Sequence, residues 1–251
     1  METSPSILAN NTLNLKIGRM WLQHAEAEHA SVASFARHTL QLMSIGAPAD
    51  LLVASQQASL DEIKHARICY GISSAFIGTD FWPGALDVEG SLEKMTLKQI
   101  IESIIQEGCI EETLSAIEAW RKASITDDKA IKSALSQIAS EETNHAQLAW
   151  NTIRWIMEKY PEERTFIMDT FQTELENINR PLLNALDASI ISPPKAFEES
   201  VLRQYGLLSA EDRVEVRQVG LLAVIEPVFH DGLKDVSTIS QRIRDLNLST
   251  I

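Results

Sequence analysis

Glu62-Ile-Lys-His65 and Glu142-Thr-Asn-His145 each set a carboxylate and an imidazole three residues apart. On an α-helix that spacing leaves the two side chains about 60° apart on one face, where both can reach one metal ion. A third copy of the pattern, Glu26-Ala-Glu-His29, is also present. One such tetrapeptide means little by itself, because Glu and His fall at this spacing by coincidence. Helical phase separates the three.

The residues stacked with Glu142 are Leu135, Ile138, Ala149 and Ile153, an apolar stripe. Those stacked with Glu62 are Ser55, Ala58, Cys69 and Phe76, small and mostly uncharged. Both motifs therefore point into a core. Glu26 shares its face with Arg19, Leu22, Ala33 and Arg37, which reads as solvated. Its neighbour Glu28 stacks with Trp21, Ala25, Val32, Phe35 and Leu42, so Glu28 is the inward carboxylate of that segment. By the same test Glu112 faces inward with Ile105, Gly108, Ala116 and Ala119, while Glu107, Glu111 and Glu118 form a charged, wet face.

Long helices must carry these residues. Apolar positions recur at helical spacing almost throughout and no stretch alternates with period two, so the chain is expected to be all-α. The first helix runs from about Asn14 to Ser44, stopped by Gly46 and Pro48. The second begins in the turn of Pro48 and reaches Ile77 before Gly78. Thr96-Leu-Lys-Gln99 is a capping box opening a third helix to about Ser124, and a fourth follows Thr126-Asp127 and ends at Tyr160-Pro161. Two short loops and one long crossover among four such helices predict a four-helix bundle paired 1–2 and 3–4. Pro161-Glu-Glu opens a fifth helix to about Leu186; after the break Ile191-Ser-Pro-Pro194 come a short helical piece and a last helix, Ser209 to Phe229. The expected organisation is one domain over 1–251, with the bundle at 14–160. The extension 161–251 packs on it through Leu221, Leu222, Val224, Ile225 and Val228.

The two halves repeat. Asp61-Glu-Ile-Lys-His-Ala-Arg-Ile-Cys-Tyr70 aligns with Glu141-Glu-Thr-Asn-His-Ala-Gln-Leu-Ala-Trp150, and in each half a lone Glu (Glu28, Glu112) precedes the Glu-x-x-His. In this pattern, over about residues 14–160, the chain resembles the ferritin-like di-iron carboxylate proteins. The resemblance implies a ferritin-like four-helix bundle with Glu28, Glu62, His65, Glu112, Glu142 and His145 as metal ligands, Glu62 and Glu142 bridging. It also implies that Asp61 and Glu141, each just before a ligand Glu, hold the opposite histidines. The cofactor would be two iron ions, with a manganese–iron pair as the variant. Charge arithmetic agrees independently: four inward carboxylates are costly in an apolar bundle, and two divalent ions cancel them. Mixed oxygen and imidazole donors suit iron or manganese better than calcium, and no thiolate cluster favours zinc. A bundle whose inward Glu and His form only hydrogen-bond networks would not need six of them matched in phase.

The family spans iron stores, peroxide-reducing rubrerythrins, and oxidases or oxygenases. This chain has no CxxC of a rubredoxin site and a longer C-terminal part than a storage subunit. The expected function is therefore a non-haem di-iron oxidoreductase, an oxidase or oxygenase that activates O2 against a small organic substrate with an electron donor the sequence does not identify. The alternative is a ferroxidase or other iron-handling ferritin-like protein. A homodimer is expected. With 22 Lys and Arg against 35 Asp and Glu, net −13, an acidic surface argues against nucleic acid and anionic membranes as partners. The absence of an apolar leader or a membrane-length apolar run predicts a cytoplasmic protein. Among residues left over, Cys69 and Cys109 should border the metal pocket without chemistry. Gly108 either opens space beside Glu112 or lets helices approach. His24 reads as a boundary or core residue, and His29, His38 and His230 as surface or packing residues.

Overall fold

Asn10 accepts hydrogen bonds from the backbone N–H groups of Thr12 and Leu13 and starts α1 (Asn11–Ser44). Pro48 caps α2 (Ala49–Ile77) from one position ahead of its first turn, and Gly78, at φ 78°, ends it in the left-handed region that glycine tolerates. The reciprocal Thr96–Gln99 capping box opens α3. That helix is continuous but not uniform: Leu97–Ser103 is α-helical, Ile104–Glu112 is a π-helix, and Thr113–Ile125 is α-helical again. Asp128, rather than Thr126 or Asp127, caps α4 (Lys129–Lys159). A 3-10 turn at Pro161–Glu163 leads to α5 (Arg164–Ser189), then α6 (Ala196–Gln204). The stretch Ala210–Gly220, Leu221–Ile225 (π) and Glu226–His230 forms α7, and α8 is Ile239–Asp245. This computed structural model describes residues 4–189 and 196–246, among which there is no strand. The expected break at 191–194 lies outside the described residues.

The four long helices pack as two antiparallel pairs. Ser73 Oγ donates to the Gly18 carbonyl (2.8 Å) and Thr39 Oγ1 meets Ser55 Oγ (2.8 Å), so the start of α1 lies on the end of α2 and vice versa. In the second pair Trp150 Nε1 donates to Thr113 Oγ1 (3.0 Å) and Trp120 Nε1 to Thr143 Oγ1 (3.1 Å). These buried indole bonds satisfy polar atoms that the apolar interior would otherwise strand. The pairs meet along α2 and α4.

The C-terminal helices cover the α3–α4 pair. Trp150 stacks on Phe171 of α5 with centroids 5.3 Å apart, and Val216, Leu221, Val224, Ile225 and Val228 of α7 are buried in the same core as Ile100 to Ile117. Two expectations need correction here. Leu222 is 55% exposed, because one residue after Leu221 the helix has turned about 100° away from the stripe. Glu118 is not wet: it is 3% exposed and ion-paired to Arg213 (3.0 Å) and Arg217 (3.0 Å), since α7 lays its arginines over that face of α3.

Gly108 sits inside the π stretch. A Cβ built on it would lie 2.6 Å from Ala149 Cβ, so the glycine is there for close approach of α3 to α4.

Candidate metal centre

Each long helix delivers its inward acid to the middle of the assembly: Glu28 from α1, Glu62 and His65 from α2, Glu112 from α3, Glu142 and His145 from α4. One ligand atom each from Glu28, Glu62, His65 and Glu142 lies within 4.8 Å of the others, and the same holds for Glu62, Glu112, Glu142 and His145. The two groups share Glu62 and Glu142. Glu26, by contrast, is exposed, and neither His29 nor His230 joins the cluster.

The sequence repeat becomes a near two-fold symmetry in space. His65 Nδ1 is 3.1 Å from Glu142 Oε1, and His145 Nδ1 is 3.1 Å from Glu62 Oε1. His65 Nδ1 is 3.6 Å from Glu28 and His145 Nδ1 3.8 Å from Glu112. Each histidine is 3.7 Å from the Glu of its own motif. Antiparallel packing of α2 against α4 produces this exchange, in which each imidazole faces the other motif's carboxylate.

The far nitrogens face different acids. His65 Nε2 is 2.8 Å from Glu141 Oε2, and His145 Nε2 is 3.6 Å from Asp61 Oδ2. A carboxylate accepting from Nε2–H leaves the Nδ1 lone pair aimed into the cluster. Lys64 ties the two outer acids together, at 2.7 Å from Asp61 and 3.7 Å from Glu141.

The donor set fits metal ions. Glu62 Oε2 and both Nδ1 atoms are buried and make no hydrogen bond of acceptable geometry, although carboxylate oxygens stand close by. Buried polar atoms normally find partners. Here they converge on shared space lined by oxygen and imidazole donors, the set that hard to borderline divalent cations prefer.

Electrostatics shows how the metal-free cluster copes. Burial, with the Glu142 and Glu62 charges, pushes Glu28 up to about 8, and burial with Glu142 pushes Glu112 well up. Glu142 is also pushed up by burial, but the hydrogen bonds and charges of His145 and His65 hold it below the usual carboxylate range. Burial opposes charging of His65 and His145, and their carboxylate partners overcome it and raise both. Asp61 is held low against burial by His145 and Lys64. Protons thus supply the positive charge that cations would bring.

Two cavities flank the cluster. The smaller, about 40 Å³, lies between α1 and α3 and is walled by Phe35, His38, Gly108, Glu112, His145 and Ala149. The ring of Phe35 meets His145 edge-on with centroids 5.0 Å apart. The larger, about 160 Å³, touches Glu28, Glu62, Glu112 and Glu142 and extends past Cys69 and Trp21 to His24 and Lys122. His38 and Lys122 escape a reading based on Glu-x-x-His. Each lies ten residues beyond a cluster acid (Glu28, Glu112), about 2.8 turns on and roughly 80° around the helix from it, so helical phase alone does not mark them. Burial, then the Arg37 charge, pushes His38 down to about 4, so it lines its cavity neutral. Cys109 borders neither cavity; it is wholly buried in the α3–α4 core, and burial raises both thiols far out of the reactive range.

No known family model, curated protein or solved structure matches this chain.

Proposed function

We propose that the chain is a ferritin-like, non-haem di-iron oxidoreductase that activates O2 to oxidise or oxygenate a small organic substrate. The observation that carries this reading is the pair of overlapping ligand groups, each with one imidazole and three carboxylates, sharing Glu62 and Glu142. Glu62 and Glu142 would serve both cations, and such a pair would supply the electrons for O2 chemistry when bound. A manganese–iron pair would fit the same donors.

The protein's own part is positioning. Glu28 and Glu112 reach the cluster from helices that carry no histidine, and their side chains are the more exposed members, about one-fifth accessible against 1% for Glu62. That looser packing makes them the carboxylates with room to shift as charge at the centre changes. His65 is held by its hydrogen bond to Glu141, and His145 faces the Asp61 carboxylate at 3.6 Å. Ile138 and Leu135 keep the cavity wall beside Glu142 apolar and limit water.

Anaerobic reconstitution with Fe(II), a metal count, then exposure to O2 under Mössbauer and optical spectroscopy tests the proposal. Two coupled irons that oxidise together support it; one iron, or none, sinks it. Among the described residues no helix is long and apolar enough to cross a membrane.

A further inference from the structure

The larger cavity has two chemically different ends. Down α3 its lining runs Glu112, Ser115, Ala119, Lys122, a span of ten residues or about 15 Å at 1.5 Å per residue. Trp21, Ala119, Leu135 and Ile138 give it apolar sides. Its roughly 160 Å³ of space open to water would hold on the order of ten waters, or a molecule of about ten non-hydrogen atoms.

The end away from the cluster is cationic. Arg213 lines it but is already neutralised, within the network Arg213–Glu118–Arg217–Glu111. Two arginines and two glutamates there sum to zero. Lys122 is half-buried and has no ion-pair or hydrogen-bond partner among the described residues. Its charge is nonetheless felt inside: it is the largest influence holding His24 neutral, ahead of burial and Arg213. With the four cluster carboxylates offset, by cations or by the protons of the metal-free cluster, Lys122 is the one uncompensated charge on the cavity wall.

We propose that this cavity is the substrate site and that its occupant is a small organic monocarboxylate. The carboxylate is held by Lys122, and the hydrocarbon part lies along Trp21, Leu135 and Ile138 toward Glu28 and Glu112. A single cation selects a monoanion over a neutral molecule or a dianion. The distance along α3 keeps the acid group off the metal ligands and presents the other end of the molecule to them. The proposal rests on the di-iron reading for what happens to the substrate, but not for its binding.

The test is calorimetric titration of the full chain, loaded anaerobically with Fe(II) and with its metal counted, using hexanoate and its uncharged amide as probes. Hexanoate should bind, and hexanamide about 10–100-fold more weakly, the usual cost of losing a charged hydrogen-bond partner. Lys122→Met should weaken hexanoate by a similar factor and leave hexanamide unchanged, whereas Lys122→Arg should retain most of the affinity. Quenching of Trp21 fluorescence, judged against Trp21→Phe, should accompany binding. Equal affinity for acid and amide, no binding of either, or hexanoate binding indifferent to Lys122→Met overturns the proposal. The metal count reports separately: Lys122-dependent hexanoate binding in a chain that takes up no iron would keep this site and remove the di-iron reading.

Discussion

Glu141 Oε2 stands 2.8 Å from His65 Nε2, on the side of the imidazole turned away from the carboxylate cluster. Asp61 stands in the matching place beside His145 at 3.6 Å, and Lys64 lies between the two acids. The first contact holds the His65 ring with Nδ1 directed inward, and Asp61 sets its charge beside the outer nitrogen of His145 without a hydrogen bond of normal length. Asp61→Ala and Glu141→Ala should therefore keep measurable iron while weakening its affinity roughly 10–100-fold, the range typical when a ligand loses its orienting acid. Unchanged affinity in competition titrations would remove both from any role in orienting the histidines.

Removing a direct ligand should do more. Glu62→Ala and His145→Ala are expected to lose at least one metal ion with helix content largely intact, because packing rests on many apolar contacts and one crowded acid or imidazole is gone. On α1 the contrast is sharper: Glu28→Ala should cost metal and Glu26→Ala should not, since only Glu28 reaches the cluster. Metal counts by plasma emission, beside circular dichroism, decide it. The reverse result on α1 would mean that the helix is phased differently in solution.

Metal binding should release protons. In the metal-free cluster Glu28 titrates near 8, Glu112 well above its usual range, and both histidines are raised. Each must shed its proton to become a ligand, so affinity climbs with pH by at least tenfold per unit below about 8, and more gently above it, where Glu28 ionises unaided and Glu112 and the histidines still have protons to lose. Calorimetry in buffers of different ionisation enthalpy counts the protons. A count of zero contradicts the arrangement of charges described above.

Most of the centre was legible in the sequence because burial leaves a periodic trace. Glu142 lies on a stripe whose other members, Leu135, Ile138, Ala149 and Ile153, are all buried, and the same periodicity separates Glu28 from Glu26. The fate of Glu118 was not legible. Its face of α3 looks charged, and only the tertiary placement of Arg213 and Arg217 from nearly a hundred residues away makes it interior. The π stretch of α3 was equally hidden, because Ile104–Glu112 has the composition of an ordinary amphipathic helix and local propensity does not specify the wider turn. Lys122 belongs to the same class: a lysine near a helix end reads as solvated until α1, α2, α4 and α7 enclose the cavity it lines.

Gly108→Ala tests the close approach of α3 and α4. In an isolated helix this change would stabilise by on the order of 1 kcal/mol. Here the new methyl meets Ala149 Cβ at 2.6 Å, inside contact distance, so a net loss of about 1–3 kcal/mol is expected from overpacking. Combining it with Ala149→Gly should recover much of the loss, since the pair then exchanges its methyl group. Denaturant melts of the single and double variants read this out, and a stabilised Gly108→Ala would show that the helices can part freely.

Iron uptake in air separates an enzyme from a store. The cluster offers two ligand groups, so an O2-activating enzyme should saturate near two irons per chain. A store continues far beyond that, because oxidised iron leaves the paired site and nucleates within a cage. The outer face of the α3–α4 pair is where subunits of a closed shell could meet, and here it is occupied: Val216, Leu221, Val224, Ile225 and Val228 of α7 pack into it, with Phe171 of α5 against Trp150. Glu118 pins the same cover through Arg213 and Arg217. With that surface taken by its own chain, a small oligomer is expected, and we propose a homodimer. Iron per chain against added Fe(II), with mass from light scattering, gives the answer. Tens of irons per chain in a large hollow particle would overturn the oxygenase reading while leaving Glu28, Glu62, His65, Glu112, Glu142 and His145 as the site where iron enters.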